Sequence, residues 1–243
     1  EILVMLIKRI LTYFNEPFIE SQLLKTPQYH LKHYLNYIFE DKFNGFGKWD
    51  NVFTYRVLMS LIRKRPRDLV KLCSLAAQQA YSDGSKKIRT QHLMSIFEEY
   101  SQGRIQDTIN EYKSELPNIE KLILGMKPTK KEKTAIDNYI YNTQELSQKI
   151  HNIMTSSSLK FANKKAVTAK ELANFLYKIN FLTARKTLES GEIQRKYFEE
   201  NRYLSHNLVD FGYDWEIHPA FRWALQPDDI ESIFRNVNLN IDE

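Results

Sequence analysis

A single cysteine, Cys73, stands in the 243 residues. One thiol makes no internal disulfide and no multi-thiolate metal site. It falls on an apolar helical face, so a buried, inert thiol is expected, and such sparse use suits a reducing cytoplasm. Glycine and proline are scarce too, seven of each, which leaves little room for long irregular stretches. No apolar run reaches the roughly 20 residues of a membrane span. The opening EILVMLIKRILTYF is broken by Lys8 and Arg9. A secretory or transit signal is missing as well, so no membrane partner is expected. The chain starts without methionine, in what reads as mid-helix, and is expected to be part of a longer protein.

The signatures of catalysis are also missing. A phosphate-cradling loop needs G-x-x-x-x-G-K-[ST]. The nearest stretch, NGFGKWD, has Gly47 and Lys48 but Lys42 and Trp49 at the other required places, and G-x-G-x-x-G fails at Asp50. His30 and His33 share a helical spacing without a third ligand, and His92, His151, His206 and His218 are scattered, so no metal is expected. His218 precedes Pro219 at a strand-to-helix corner, which points to a structural hydrogen bond. Ser205 and His206 are adjacent, and adjacency does not make a triad. Glu98/Glu99 and Glu199/Glu200 are neighbours rather than facing pairs and read as solvated. No catalytic residue is predicted.

What is present is helix-forming. Hydrophobic residues make up 42% of the chain, enough for sizeable cores, and Leu, Ile, Lys, Glu and Gln run through it. The predicted fold is mostly α. Net charge is +5, unevenly spread: residues 1–186 hold 30 Lys/Arg against 18 Asp/Glu, and residues 187–243 hold 5 against 12. The basic body could meet an anion, whereas the acidic tail is a poor surface for a DNA backbone.

Apolar spacing predicts a first helix over 2–14, with Ile2, Leu6, Ile10 and Tyr13 inward. Further helices are expected over about 28–40 and over 51–64. DKFNGFGKWD reads as a loop. A helix over 66–83 buries Leu69, Leu72, Cys73, Ala76 and Ala80, with Gly84 as its stop. Ile88 reads as a short extended contact. Thr90 caps a helix carrying Leu93, Ile96 and Phe97, and Pro117 makes a break. The basic stretch 127–135 reads as a linker between domains 1–126 and 132–243. The second domain starts with a long helix over about 132–156. Thr168 and Glu171 have capping-box spacing for a helix burying Leu172, Phe175, Leu176 and Ile179. Two strands around ESGE follow as a hairpin, and then a strand ended by Pro219 and a short helix.

Helix, hairpin, strand and helix in this order suggest a winged-helix-like α+β module. Such modules bind DNA or protein. For DNA, the helix before the hairpin would enter the groove, presenting Lys170, Asn174, Tyr177 and Lys178, with Arg185 following. Those cations are few and the wing carries several glutamates, so protein contact is weighed above DNA. Most aromatics fall at core spacing and read as packing rather than base-stacking groups.

The stretch RKRPRDLVKLC, 63–73, crowds Arg63, Lys64, Arg65 and Arg67 around Pro66 at a helix start. That end of a helix already carries partial positive charge, so something negative is expected opposite. RPRDLVKLCSLAAQQAYSDGSKKIRTQHLMSIFEEYSQGR resembles the helical lid of AAA+ and STAND-type P-loop ATPases. Lid, linker and winged helix together resemble origin-recognition-type initiators. YDWEIHPAFRWAL, with LANFLYKINFL upstream, is similar to the C-terminal part of uncharacterised bacterial P-loop ATPases near the antiviral-defence group. The resemblance spans roughly residues 50–225. It implies a non-catalytic lid and winged-helix region of a cytoplasmic ATPase switch, whose nucleotide-binding core, with ATP and Mg, precedes this chain. It implies a protein effector as partner, leaves self-association open, and hints at phage defence. By position, Arg67 would be the lid's nucleotide-sensing arginine, with Arg65 second. Arg63 and Lys64 are expected to be solvated.

Overall fold

The first helix shows how the chain folds. α1 (Ile2–Tyr13) buries Leu3, Leu6, Ile7, Ile10 and Leu11, the three- and four-residue spacing of a helical stripe. Tyr13, expected inward, is 81% exposed. It lies at the last position of the helix, with its ring edge-on to Phe14. The structure, a computed structural model, describes residues 1–129, 132, 139–163, 167–189, 193–204 and 212–225. The predicted turn at 190–192, Ser205, His206, most of the 127–135 stretch and the end of the acidic tail lie outside these residues.

α2 (Glu20–Lys25) and α3 (Gln28–Leu31) follow. The helix expected over 28–40 is one α-helical turn continued by a 3-10 helix, Lys32–Tyr37. Phe39 then becomes extended because it forms a parallel bridge with Ile88, the extended contact expected from the sequence. β1 (Lys42–Phe43) and β2 (Val52–Phe53) pair antiparallel around the loop that contains Trp49. Trp49 is fully buried against Phe43 and Phe97. Because Val52 and Phe53 serve this ribbon, α4 (Thr54–Leu61) starts later than predicted.

α5 (Pro66–Ser82) carries proline at its first position, where no amide partner is lost. Its apolar face is buried as predicted. Gly84, at φ +66°, ends the helix in the left-handed region that glycine tolerates best. Burial raises the Cys73 thiol to about 12. The native chain is therefore expected to resist thiol reagents at pH 8 and to react fully once unfolded. Rapid labelling without unfolding would show that Cys73 is accessible.

α6 (Thr90–Tyr112) buries Leu93, Ile96 and Phe97. Its start differs from the prediction. His92 Nδ1 accepts from the Arg89 amide at 2.9 Å, whereas Thr90 Oγ1 accepts from the Asn44 amide, also at 2.9 Å. Histidine three residues on does the capping work, and the threonine ties the β1 loop.

Contacts divide the chain within α6, between Tyr100 and Ser101. The Tyr100 hydroxyl donates to Leu61 O at 2.8 Å, and Ser101 Oγ accepts from the Ala224 amide at 3.0 Å. Adjacent residues of one helix thus serve different cores. The stretch 127–135 falls inside the second unit. Lys149 Nζ reaches Lys127 O at 3.0 Å and Glu132 Oε2 at 2.7 Å, which fixes the described part of that stretch to the next helix.

The second unit contains the end of α6, α7 (Ile119–Gly125), β3 (Ile140–Tyr141), α8 (Thr143–Ser156), α9 (Ala169–Lys178), β4 (Leu182–Thr187), β5 (Ile193–Lys196), β6 (Asp214–Ile217) and α10 (Arg222–Leu225). The single helix expected over about 132–156 is interrupted by β3, and α8 begins at Thr143. Asn142 and Glu145 form a reciprocal capping box, and β3 precedes it. The Thr168/Glu171 box at the head of α9 is as predicted. Gly125 lets α7 approach α8, since a Cβ there would lie 2.9 Å from Ile153 Cγ1.

The sheet runs β3-β6-β4-β5, with each neighbouring pair antiparallel. β6 lies between β3 and β4, and β5 extends the outer edge as the hairpin partner of β4. This is the expected winged-helix-like α+β module behind a mostly α region. One face carries Leu182, Ala184, Trp215 and Ile217. Trp215 packs edge-on against Tyr177 of α9, and its Nε1 donates to Thr143 at 3.1 Å. The other face carries charge.

Candidate functional site

The cations at the head of α5 find their negative partner within five residues. Arg63 and Asp68 are both fully buried. Arg63 Nε donates to Asp68 Oδ2 at 2.8 Å and Nη2 to Oδ1 at 3.1 Å, a two-pronged ion pair. The Arg63 amide also donates to Oδ2, at 3.3 Å. Asp68 lies in the first turn of α5, where the helix dipole favours an anion. Arg63, expected in solvent, is therefore a structural clamp. Burial without a carboxylate would leave a guanidinium desolvated at large cost.

The clamp shapes what lies between its ends. Lys64 is held at φ +52°, a conformation uncommon for a side-chain-bearing residue. Lys64 and Arg65 are half-buried, and Arg67, second in the helix, is exposed. Of the four clustered cations, Arg63 is structural and Arg67 is the most exposed.

The residues proposed for DNA do not form one basic ridge among the described residues. Lys170 is exposed, and Asn174 is half-buried. Tyr177, expected outward, is buried, its hydroxyl near Lys196 O and Asn201 O, each at 3.4 Å. Lys178 is held by Glu115 at 2.9 Å. Arg185 is buried on β4, opposite Arg195 on one side and Asp214 on the other. It points to the face opposite Ala184 and Trp215, and that face is covered too, because Leu182–Arg185 is buried throughout.

That covered face holds a second charge cluster, which the sequence did not reveal. Glu216 on β6 is fully buried. Arg195 donates to it through Nε at 2.6 Å and Nη2 at 3.0 Å, and Arg222 Nη2 binds Oε1. Arg222 Nε also donates to Ile217 O at 2.9 Å, and its guanidinium lies 4.8 Å from the Tyr139 ring centre. Burial alone would raise the Glu216 carboxyl, but the two guanidiniums outweigh it and hold the group at about 2. Arg195 lies on β5 and Arg222 on α10, so no local spacing links either to Glu216 on β6. Strand register is needed to read the cluster.

His92 and His218 serve structure. His92 is buried. Its Nδ1 accepts from a backbone amide, so its Nε2 donates to Asp83 at 3.2 Å. His218 Nδ1 accepts from the Ala220 amide at 3.1 Å and caps the turn Pro219–Phe221, the structural role expected of it. His33 Nδ1 contacts His30 O at 2.7 Å. Among the described residues no three His, Cys, Asp or Glu groups cluster to hold a metal. No described helix is long and apolar enough to cross a membrane.

Structural ion pairs, capping histidines and a winged-helix-like end describe a mostly helical region. Residues 5–109, from α1 into α6, match the family described as the FunZ-associated C-terminal helical domain. That likeness agrees with a non-catalytic C-terminal region. No curated protein matches the chain, and no solved structure does.

Proposed function

We propose that this chain is the nucleotide-sensing C-terminal region of a P-loop ATPase switch, with Arg67 as sensor and Arg65 as its neighbour. The observation that carries this reading is the Arg63–Asp68 clamp. It neutralises the innermost cation and leaves Arg67 exposed on the first turn of a 17-residue helix. An exposed guanidinium at the start of a helix suits a phosphate group. ATP and Mg would be held by the nucleotide-binding core of the same protein. A γ-phosphate touching Arg67 in one state and absent in the other is a differential contact of the kind that shifts a conformational equilibrium. The winged-helix-like module would pass the shift to a protein effector, in the defence setting that the resemblance of the C-terminal part implies. The likeness to a C-terminal helical domain supports the placement. DNA binding finds less support, because Lys178 is paired and Arg185 is buried.

The test uses the protein expressed from its natural start codon. Arg67→Ala is expected to slow ATP hydrolysis by about a hundredfold to a thousandfold, the range for losing one charge-stabilising donor. Its melting temperature should stay close to the parent's, since Arg67 is exposed. Arg65→Ala should have the smaller effect. Unchanged hydrolysis in Arg67→Ala would remove the sensor assignment.

A further inference from the structure

Two lysines of the first unit share one aromatic ring. Lys32, first in the 3-10 helix, holds its ammonium 3.3 Å from the centre of the Phe53 ring and 3.8 Å from that of Tyr29. Lys42 holds its ammonium 3.5 Å from the same Phe53 centre. Strand pairing sets this up, because Lys42 of β1 lies opposite Phe53 of β2. Lys42 Nζ also donates to Asn51 O at 3.3 Å. Tyr29 meets Phe53 edge-on, at 5.9 Å between ring centres.

An aromatic face attracts a cation but leaves its charge in place. Among the described residues neither ammonium forms an ion pair; their partners are the rings and one backbone oxygen. Asp41 adjoins Lys42 in sequence without pairing to it, and Glu40 is engaged by Arg89 at 3.5 Å. Residues 21–39 contain no Asp or Glu, and Lys25, His30 and His33 are exposed among them. Two half-buried like charges are thus ordered in advance around one ring, and an anion reaching both would relieve their repulsion. Tyr29 narrows the anion. It is 45% exposed beside Lys32, and an exposed ring next to cations is what a nucleobase stacks on. An acidic peptide would use the charges and leave the ring idle.

We propose that this patch binds single-stranded nucleic acid, with Lys32 and Lys42 on the phosphate backbone and Tyr29 stacked on a base. A single strand is required because a duplex keeps its base faces covered by their neighbours. The patch uses neither Arg67 nor the winged-helix-like module, so it does not depend on the sensor reading.

The test follows the fluorescence anisotropy of a labelled oligothymidine of about twelve nucleotides, within the range of one single-strand site, as this chain is added. Affinity is expected to fall as salt rises. Lys32→Gln with Lys42→Gln should reduce the slope of log affinity against log salt by about 1. Tyr29→Ala should weaken binding by about fivefold to a hundredfold, the worth of one stacked base, and leave the slope intact. Lys121→Gln, exposed in the second unit, should change neither. A duplex of the same length should bind more weakly, and poly-glutamate of equal charge should compete poorly; both comparisons use the unaltered chain and stand even if a variant fails to fold. No salt-dependent binding, equal affinity for the duplex, an unchanged slope in the lysine variant or unchanged affinity in Tyr29→Ala would each overturn the assignment. Displacement by poly-glutamate would overturn it too, and give the patch to an acidic protein.

Discussion

Glu216→Ala is expected to destabilise the winged-helix-like module by about 3–5 kcal/mol, the cost of removing one member of a buried charge cluster. Total stability of a domain is of order 5–15 kcal/mol, so the module should be close to unfolding. The reason is what remains. Arg195 and Arg222 are buried and both point at the Glu216 carboxylate. Without it, two guanidiniums stay desolvated and lose their acceptor. Glu216→Gln keeps the shape and loses the charge, and it should fall between parent and alanine. Trp215 and Trp223, both buried beside the cluster in sequence, report unfolding by fluorescence in a urea titration.

The same group sets an acid response. Its folded value of about 2 lies below the ordinary 4.5. A carboxyl depressed in the folded state stabilises above its unfolded value, and that stability is lost as pH falls toward the folded one. The expected loss between pH 4.5 and pH 2 is about 3 kcal/mol from this residue. Glu216→Gln should flatten that part of the profile. A glutamine variant that melts within about 1 kcal/mol of the parent, with the same acid slope, would mean that the cluster contributes little.

Asp68→Ala should cost a similar amount, about 3–5 kcal/mol, in the first unit. Arg63 would be left buried without its Asp68 carboxylate, and the first turn of α5 would lose the anion opposing its dipole. Replacing both partners with apolar residues, Arg63→Met with Asp68→Leu, removes the charge and its counterion together. That double variant should recover much of the lost stability, because an ion pair exchanged for packing is often neutral or favourable. The measurement is a double-mutant cycle by urea unfolding. A cycle in which the two substitutions simply add would show that the pair does not act as a unit. The recovered double variant also separates folding from function: its Lys64–Pro66 turn would no longer be held by the carboxylate, so the presentation of Arg67 should loosen while the helix survives.

Local chemistry was legible and long-range pairing was not. Thr168 and Glu171 identify the head of α9 because a capping box is complete within four residues. Gly84 marks the end of α5 for the same local reason. Asn142 and Glu145 have the same spacing, but a helical reading extended upstream through Ile140 and Tyr141, which the sheet takes as β3. The helix predicted over 28–40 stops early because Phe39 bridges Ile88, 49 positions away in the chain. The charged residues were harder still. Arginine is almost never fully buried without a partner, so Arg63 and Arg185 read as surface cations. Their burial depends on Asp68 across a turn and on β6 from a distant part of the chain. Asn174 stood out in sequence as a groove-facing residue. Its structural distinction is a carbonyl without a donor, which only packing reveals.

The most direct test of the central claim is the ratio of ATP to ADP affinity in the protein expressed from its natural start codon, measured calorimetrically for the parent and for Arg67→Ala. A guanidinium that touches the γ-phosphate acts on ATP alone, so the substitution should lower that ratio by about tenfold or more, the worth of one charge-assisted hydrogen bond, with ADP affinity unchanged. A ratio that stays at the parent's value in Arg67→Ala would contradict the account.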